Sequence, residues 1–176
     1  MEKLKIQMEI VMVLMQRNNN YMIRNFVLIS TIFMFVSCDN SIIFEKYKSF
    51  QNQEWNADSL VKFEYFINDT ITKHKCSLKI RNSVDYKFQN LFLFIYSNLS
   101  KDTIEVLLAD KKGKWIGNGV GDIREVEIIL ENEKVYTNKG KHTFMIEQAM
   151  RYGSNNKISN LQHIEAVGVT IIKENE

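Results

Sequence analysis

The sequence predicts an all-β fold, an antiparallel β-sandwich of jelly-roll or immunoglobulin-like type with seven to eight strands, preceded by a lipoprotein signal peptide. Three observations predict it. Apolar residues recur with period two in many short segments, Asn, Asp and Gly fill the connections between them, and little of the chain carries the helical period. Two packed antiparallel sheets are the usual solution for such a pattern.

The chain begins with a segment excluded from that fold. Arg24 precedes an apolar run from Phe26 to Val36 that ends in Ser37-Cys38. A positive start, an apolar stretch too short to cross a bilayer and a small residue before a cysteine are what a lipoprotein-processing peptidase recognises. Residues 1–37 are read as signal peptide, with Met22 as the alternative true start, and Cys38 as the acylated N-terminus that holds the protein to a lipid bilayer. Residues 38–49 read as the lipidated cysteine, carrying palmitate-type chains, and a short tether. Residues 50–176 read as one domain with a single core.

Within that domain Val61, Phe63, Tyr65 and Ile67 share one face of a strand while Lys62 and Glu64 take the other. Cys76, Leu78 and Ile80 repeat the alternation, which makes Cys76 a buried small hydrophobe. The continuous run from Leu91 to Tyr96 suits a central strand covered on both faces. Ile104, Val106 and Leu108 lead to Asp110-Lys111-Lys112-Gly113, a turn signal before Trp115, and so to a hairpin. Val126, Ile128 and Leu130 mark another strand, Phe144 and Ile146 the next, and Val167, Val169 and Ile171 the last. Glu147 to Arg151 is expected to make a turn of helix ended by Gly153.

Charge excludes one class of function. Removing the signal peptide leaves equal numbers of basic and acidic residues, so the basic footprint of a nucleic-acid binder is missing. Enzyme chemistry lacks a motif as well. His74, His142 and His163 stand apart from any nucleophile pattern and read as surface or strand-end residues, and neither H-E-x-x-H nor C-x-x-C spacing occurs. The stretch from Gly117 to Gly121 has G-x-G-x-G spacing, which fails the dinucleotide fingerprint, and its glycines are expected to serve a turning loop. Asp110 and Asp122 flank that loop, but two carboxylates are too few for a Ca²⁺ site. No cofactor, no metal and no catalytic residue is expected.

The order of residues after Cys38 resembles the gliding-motility lipoprotein family GldH of the Bacteroidetes. The resemblance runs through Tyr47-Lys48-Ser49, Trp55, Asp58, Phe63, Asp69-Thr70, Ile80-Arg81-Asn82 and Asp85-Tyr86. It continues in Asn90 to Phe94, in Asp110-x-x-Gly113-x-Trp115-x-Gly117-x-Gly119-x-Gly121-Asp122-Ile123, in Gln148-Ala149-Met150-Arg151 and in Val167-Gly168-Val169. It implies a membrane lipoprotein needed for gliding over surfaces. Its implied partners are other envelope proteins of the gliding apparatus, linked to type IX secretion and to moving surface adhesins.

Two places are expected to carry contacts, because loops on a rigid scaffold commonly do. They are the loop with Trp115, Gly117, Gly119, Gly121 and Asp122, and the segment with Gln148, Met150 and Arg151. An alternative is a glycan-binding envelope lipoprotein in which Trp55 or Trp115 stacks on sugar rings. Ser59, Thr70 and Thr103 each follow an Asp and precede an apolar residue, as in the O-glycosylation sequon of this phylum, and each also fits a turn before a strand. Asp39-Asn40-Ser41 lacks the acidic run of a surface-export signal. The expected anchor is therefore in the outer membrane, facing the periplasm.

Overall fold

The computed structural model describes residues 41–97, 100–154 and 156–174; Cys38 and the signal segment lie outside them. Residues Asn40–Glu176 form one compact unit. Its strands are β1 Ile42–Ser49, β2 Glu54–Asn56, β3 Val61–Ile67, β4 His74–Ser83, β5 Asn90–Ser97, β6 Ser100–Leu107, β7 Ile123–Lys134, β8 Gly140–Gln148, β9 Asn160–Gln162 and β10 Ile164–Lys173. Two antiparallel four-stranded sheets face each other. The first has the order β1-β10-β4-β7 and the second β3-β8-β5-β6, while the short β2 and β9 form a separate ribbon. The long strands pair as a nested set, β5 with β6, β4 with β7, β3 with β8 and β1 with β10. Such nesting is a hairpin rolled up on itself, which selects the jelly roll over the immunoglobulin-like alternative.

The alternation read from the sequence is what closes the sandwich. Val61, Phe63, Tyr65 and Ile67 are buried and the residues between them are exposed. Leu78 and Ile80 of β4 meet Val167, Val169 and Ile171 of β10 in one core. Phe44 of β1 crosses between the sheets, edge-on to Phe63 at 6.4 Å and tilted against Tyr65 at 5.6 Å. Full burial of one such side chain contributes about 1.5–3 kcal/mol. Cys76 lies among them, buried as expected, and burial pushes its thiol up to about 11.

Five expectations need correction. The tether does not reach residue 49, because β1 begins at Ile42 and pairs along its length with β10. The run from Leu91 to Tyr96 is an inner strand, but only one face is covered: Leu91, Leu93 and Ile95 are buried, while Phe92 is 37% exposed and Phe94 and Tyr96 are half-buried. No helical turn forms at Glu147–Arg151, since β8 runs on through Gln148 and the Ala149 N–H bonds to the Phe92 carbonyl. His74 does stand at a strand end, yet it is fully buried, edge-on to Tyr136 at 5.2 Å. The hairpin at Asp110 is reduced to a single bridge, Ala109 with Trp115.

Register gives the sandwich two ends. At one end the start of β1 lies beside the end of β10, and His74 connects Lys173 to Lys134 across the sheet. This is the end from which the chain runs back toward Cys38. At the other end Ser49, Ala166, Arg81 and Glu125 stand side by side. The eight residues of β1 separate the two ends by about 25 Å.

Candidate functional site

The end of the sandwich at Ser49, Ala166, Arg81 and Glu125 holds a cleft of about 740 Å³ between the outer face of the first sheet and the segment Ile116–Val120. The glycine spacing explains how that segment lies. In an extended chain every second residue shares a face. Asn118 bridges to Glu125 of β7 through paired backbone hydrogen bonds of 3.1 and 2.7 Å. A side chain at Gly117 would collide with the Glu125 carbonyl, and one at Gly119 with the Ile123 carbonyl. The glycines therefore bring one backbone against another. Ile116, Asn118 and Val120 point the other way, and Val120 is 93% exposed. Gly121 turns the chain with φ of 61°, and Arg124 secures the turn by donating to the Gly121 and Ile123 carbonyls at 2.7 and 2.8 Å.

The floor of the cleft is built from three strands, with Arg81 of β4, Glu125 and Glu127 of β7 and Glu165 of β10, and β1 stands beside it. Tyr47 of β1 lies across β10, where Gly168 leaves room for its ring; a Cβ there would sit 2.6 Å from the ring carbons. The Arg81 guanidinium of β4 covers the ring at 4.0 Å, a cation–π contact. Glu125 of β7 closes the set, accepting from Arg81 Nε at 2.5 Å and from the Tyr47 hydroxyl at 3.1 Å. Beside it Lys79 donates to Glu45 at 2.6 Å and Ser77 to Glu127 at 2.6 Å. Burial, reinforced by the Glu125 charge, raises the Tyr47 phenol, and the hydrogen bond from Lys79 lowers the Glu45 carboxyl. The result is a fixed polar platform with an aromatic centre.

The other candidate residues are placed as follows. Trp115 is half-buried against the core, and Asp122 is exposed while its carbonyl accepts from Val84 N–H at 2.8 Å. Gln148 and Met150 are buried and cannot present contacts. The Gln148 amide donates to the Ile158 carbonyl at 2.6 Å and accepts from Met150 N–H at 2.9 Å, while the Met150 sulfur accepts from Phe92 N–H at 3.3 Å. Arg151 is exposed and lines a second groove, about 380 Å³, with Phe92, Phe94, Thr103 and Ala149.

Trp55 is fully buried, stacked on Phe50 at 4.7 Å with its indole N–H given to the Ser59 carbonyl, so it offers no platform to a sugar. Ser59 and Thr103 are exposed and Thr70 is half-buried. Asp69 builds a tight turn around Thr70, accepting from Ile71 N–H at 2.9 Å and from the Thr72 hydroxyl at 2.5 Å. Asp110 is used in the same way by Lys112 and Lys114 N–H groups. Among the described residues no three His, Cys, Asp or Glu are placed to hold a metal ion.

Sequence reasoning missed the platform itself. Tyr47, Arg81 and Gly168 were legible as residues carrying the family resemblance, but no local motif joins them. Only strand register brings them together.

Comparisons with known proteins bear on the whole domain. The model of the family described as GldH lipoprotein matches residues 42–171. The gliding motility lipoprotein GldH homolog of Christiangramia forsetii is 33% identical over 147 residues, covering 81% of this chain and 88% of the relative. The gliding motility lipoprotein GldH of Flavobacterium johnsoniae is 32% identical over 145 residues, covering 80% and 87%. Among solved structures, a family GH115 4-O-methyl-alpha-glucuronidase aligns at 10% identity over 78% of this chain and 18% of that one, with a TM-score of 0.43. A likeness that weak carries no functional weight. The two sequence relatives and the family match are decisive: this chain belongs to the GldH lipoprotein family.

Proposed function

We propose that the protein is a noncatalytic gliding-motility lipoprotein, held by acylated Cys38 in the outer membrane and facing the periplasm. Its far end docks another envelope protein of the gliding apparatus, in the part of that apparatus tied to type IX secretion and adhesin movement. The observation that supports docking is the cleft lined by Arg81 and Glu125, at the end of the sandwich opposite the start of β1 and walled by exposed Ile116 and Val120, with Tyr47 held against Arg81 beside it. Tyr and Arg held rigid beside apolar residues are the side chains that dominate protein interfaces.

The test is movement of single cells after deletion of the gene. Wild type is expected to restore movement, Cys38→Ala to fail, and Arg81→Ala to restore it poorly at normal protein level. Full movement with Arg81→Ala would remove the cleft from the account. In the same strains, protease added to intact cells is expected to spare the protein.

The glycan alternative loses Trp55, which is buried, and keeps half-buried Trp115. A second support for it is the groove lined by Phe92, Phe94 and Arg151 on the outer face of β5. Glycan-array binding lost on Phe92→Ala would favour it.

A further inference from the structure

The end of the sandwich nearest Cys38 carries a set of exposed apolar side chains with no role in the core. Ile71, at the tip of the β3–β4 loop, is 87% exposed, and Val135, just after β7, is 48% exposed. Ile42 and Ile43, at the start of β1, are exposed as well. These positions belong to one end, because Ile42 pairs with Ile172, Lys173 with His74, and His74 with Lys134 immediately before Val135. Lysines surround them. Lys73 and Lys173 are paired to Glu133 and Asp69 at 3.0 and 2.7 Å, whereas Lys75 and Lys139 have no ion-pair partner among the described residues.

The loop that carries Ile71 is built rather than loose. Asp69 caps the Ile71 and Thr72 N–H groups, accepts from the Thr72 hydroxyl and is paired to Lys173, which holds the loop to the last strand. A rigid turn that spends four hydrogen bonds to hold an isoleucine in water calls for an apolar partner.

The length of chain before β1 says what that partner is. Only Asp39, Asn40 and Ser41 separate Cys38 from Ile42, and three residues reach at most about 10 Å. Ser41 is already tied to Lys173 through its carbonyl at 2.7 Å, so the usable length is shorter still. A domain leashed that closely has its near end against the headgroups whenever Cys38 carries lipid. We propose that this end is a lipid-docking surface: Ile71 and Val135, with Ile42 and Ile43, enter the interface of the bilayer, the lysines face its phosphates, and the sandwich is held upright with its cleft directed away. Apolar side chains at the boundary and cations at the phosphate level are the pairing used by proteins that lie on membranes. The inference rests on Cys38 being the acylated residue. A glycan on Thr70, beside Ile71, would stand between this end and the bilayer, so docking requires Thr70 unmodified.

The test uses the full acylated protein reconstituted into vesicles of phosphatidylethanolamine and phosphatidylglycerol. Ile71→Cys and, at the far end, Val120→Cys are each labelled with an environment-sensitive fluorophore; Cys76 is buried and stays unlabelled. Lipids bearing a nitroxide on the headgroup are expected to quench most of the emission at position 71 and leave position 120 unchanged. Flotation with the vesicles separates the two layers of the claim. If the protein floats and position 71 is unquenched, or both positions are quenched alike, docking by this end is overturned. If the wild type fails to float, or Cys38→Ala floats equally, the anchor reading fails and takes the docking with it.

Discussion

Gly168 shows how one missing side chain can organise a surface. With no Cβ on β10, the Tyr47 ring drops onto the strand, and only at that height can it stack under Arg81 and reach Glu125. Gly168→Ala is expected to destabilise the domain by about 1–3 kcal/mol, the usual range for an overpacked site. In a Tyr47→Ala background the same change should cost almost nothing, because the colliding ring is gone. A double-mutant cycle by urea denaturation reads the difference, and equal costs in both backgrounds would break the argument. Glycines at Gly117 and Gly119 act differently, by admitting a backbone carbonyl rather than a ring. The sequence showed all three glycines, but not which neighbour each one admits.

Strands with regular alternation were legible: β3 begins and ends where Val61 and Ile67 place it, and β4 and β10 carry their expected inward residues. Two strands were harder for physical reasons. Along β1 only Phe44 faces the interior core, and Lys46 and Lys48 occupy the same face at the open edge of the sheet, so its apolar period is almost erased. Such charges are what natural edges carry to discourage pairing with another chain. In β5 the apolar run suggested cover on both faces, whereas the outer face is served by Lys101 over the Phe94 ring at 4.2 Å and by Glu147 accepting from the Tyr96 hydroxyl. The two faces of β5 should therefore respond unequally to truncation. Leu93→Ala is expected to cost about 2–5 kcal/mol and Phe92→Ala less than about 1 kcal/mol, measured by thermal or urea unfolding. Similar costs would mean that the outer face is covered after all. The candidate site was half legible: the glycine loop is a sequence feature, while the platform beneath it exists only through the register of four strands.

Across the whole domain, buried tyrosines set the response to alkali. The hydroxyls of Tyr65 and Tyr136 are 3.2 Å apart, and Tyr136 also meets His74 and His142 edge-on. Burial pushes the Tyr65 phenol up to about 12 and the Tyr136 phenol higher still. A phenol near 10 in the unfolded chain loses its proton first, so the folded state binds more protons as pH rises and its stability falls. The stabilisation is complete below pH about 10 and is expected to drain away between about 10 and 12. Urea midpoints followed against pH, with phenolate absorbance on the same samples, check the sign; a midpoint flat through that window would refute it.

The nested pairing has a consequence in time. The strand that β1 needs as its neighbour is β10, the last of the described strands in chain order, and β10 also fills the middle of the sheet with Val167, Val169 and Ile171. Contacts between the two ends of a chain are slow to form, because the loop between them must first close. The first sheet therefore stays incomplete until Ile171 is free to pair. Until then β1 has no neighbour on which to lay its Phe44 face, and the two sheets cannot close on a common core.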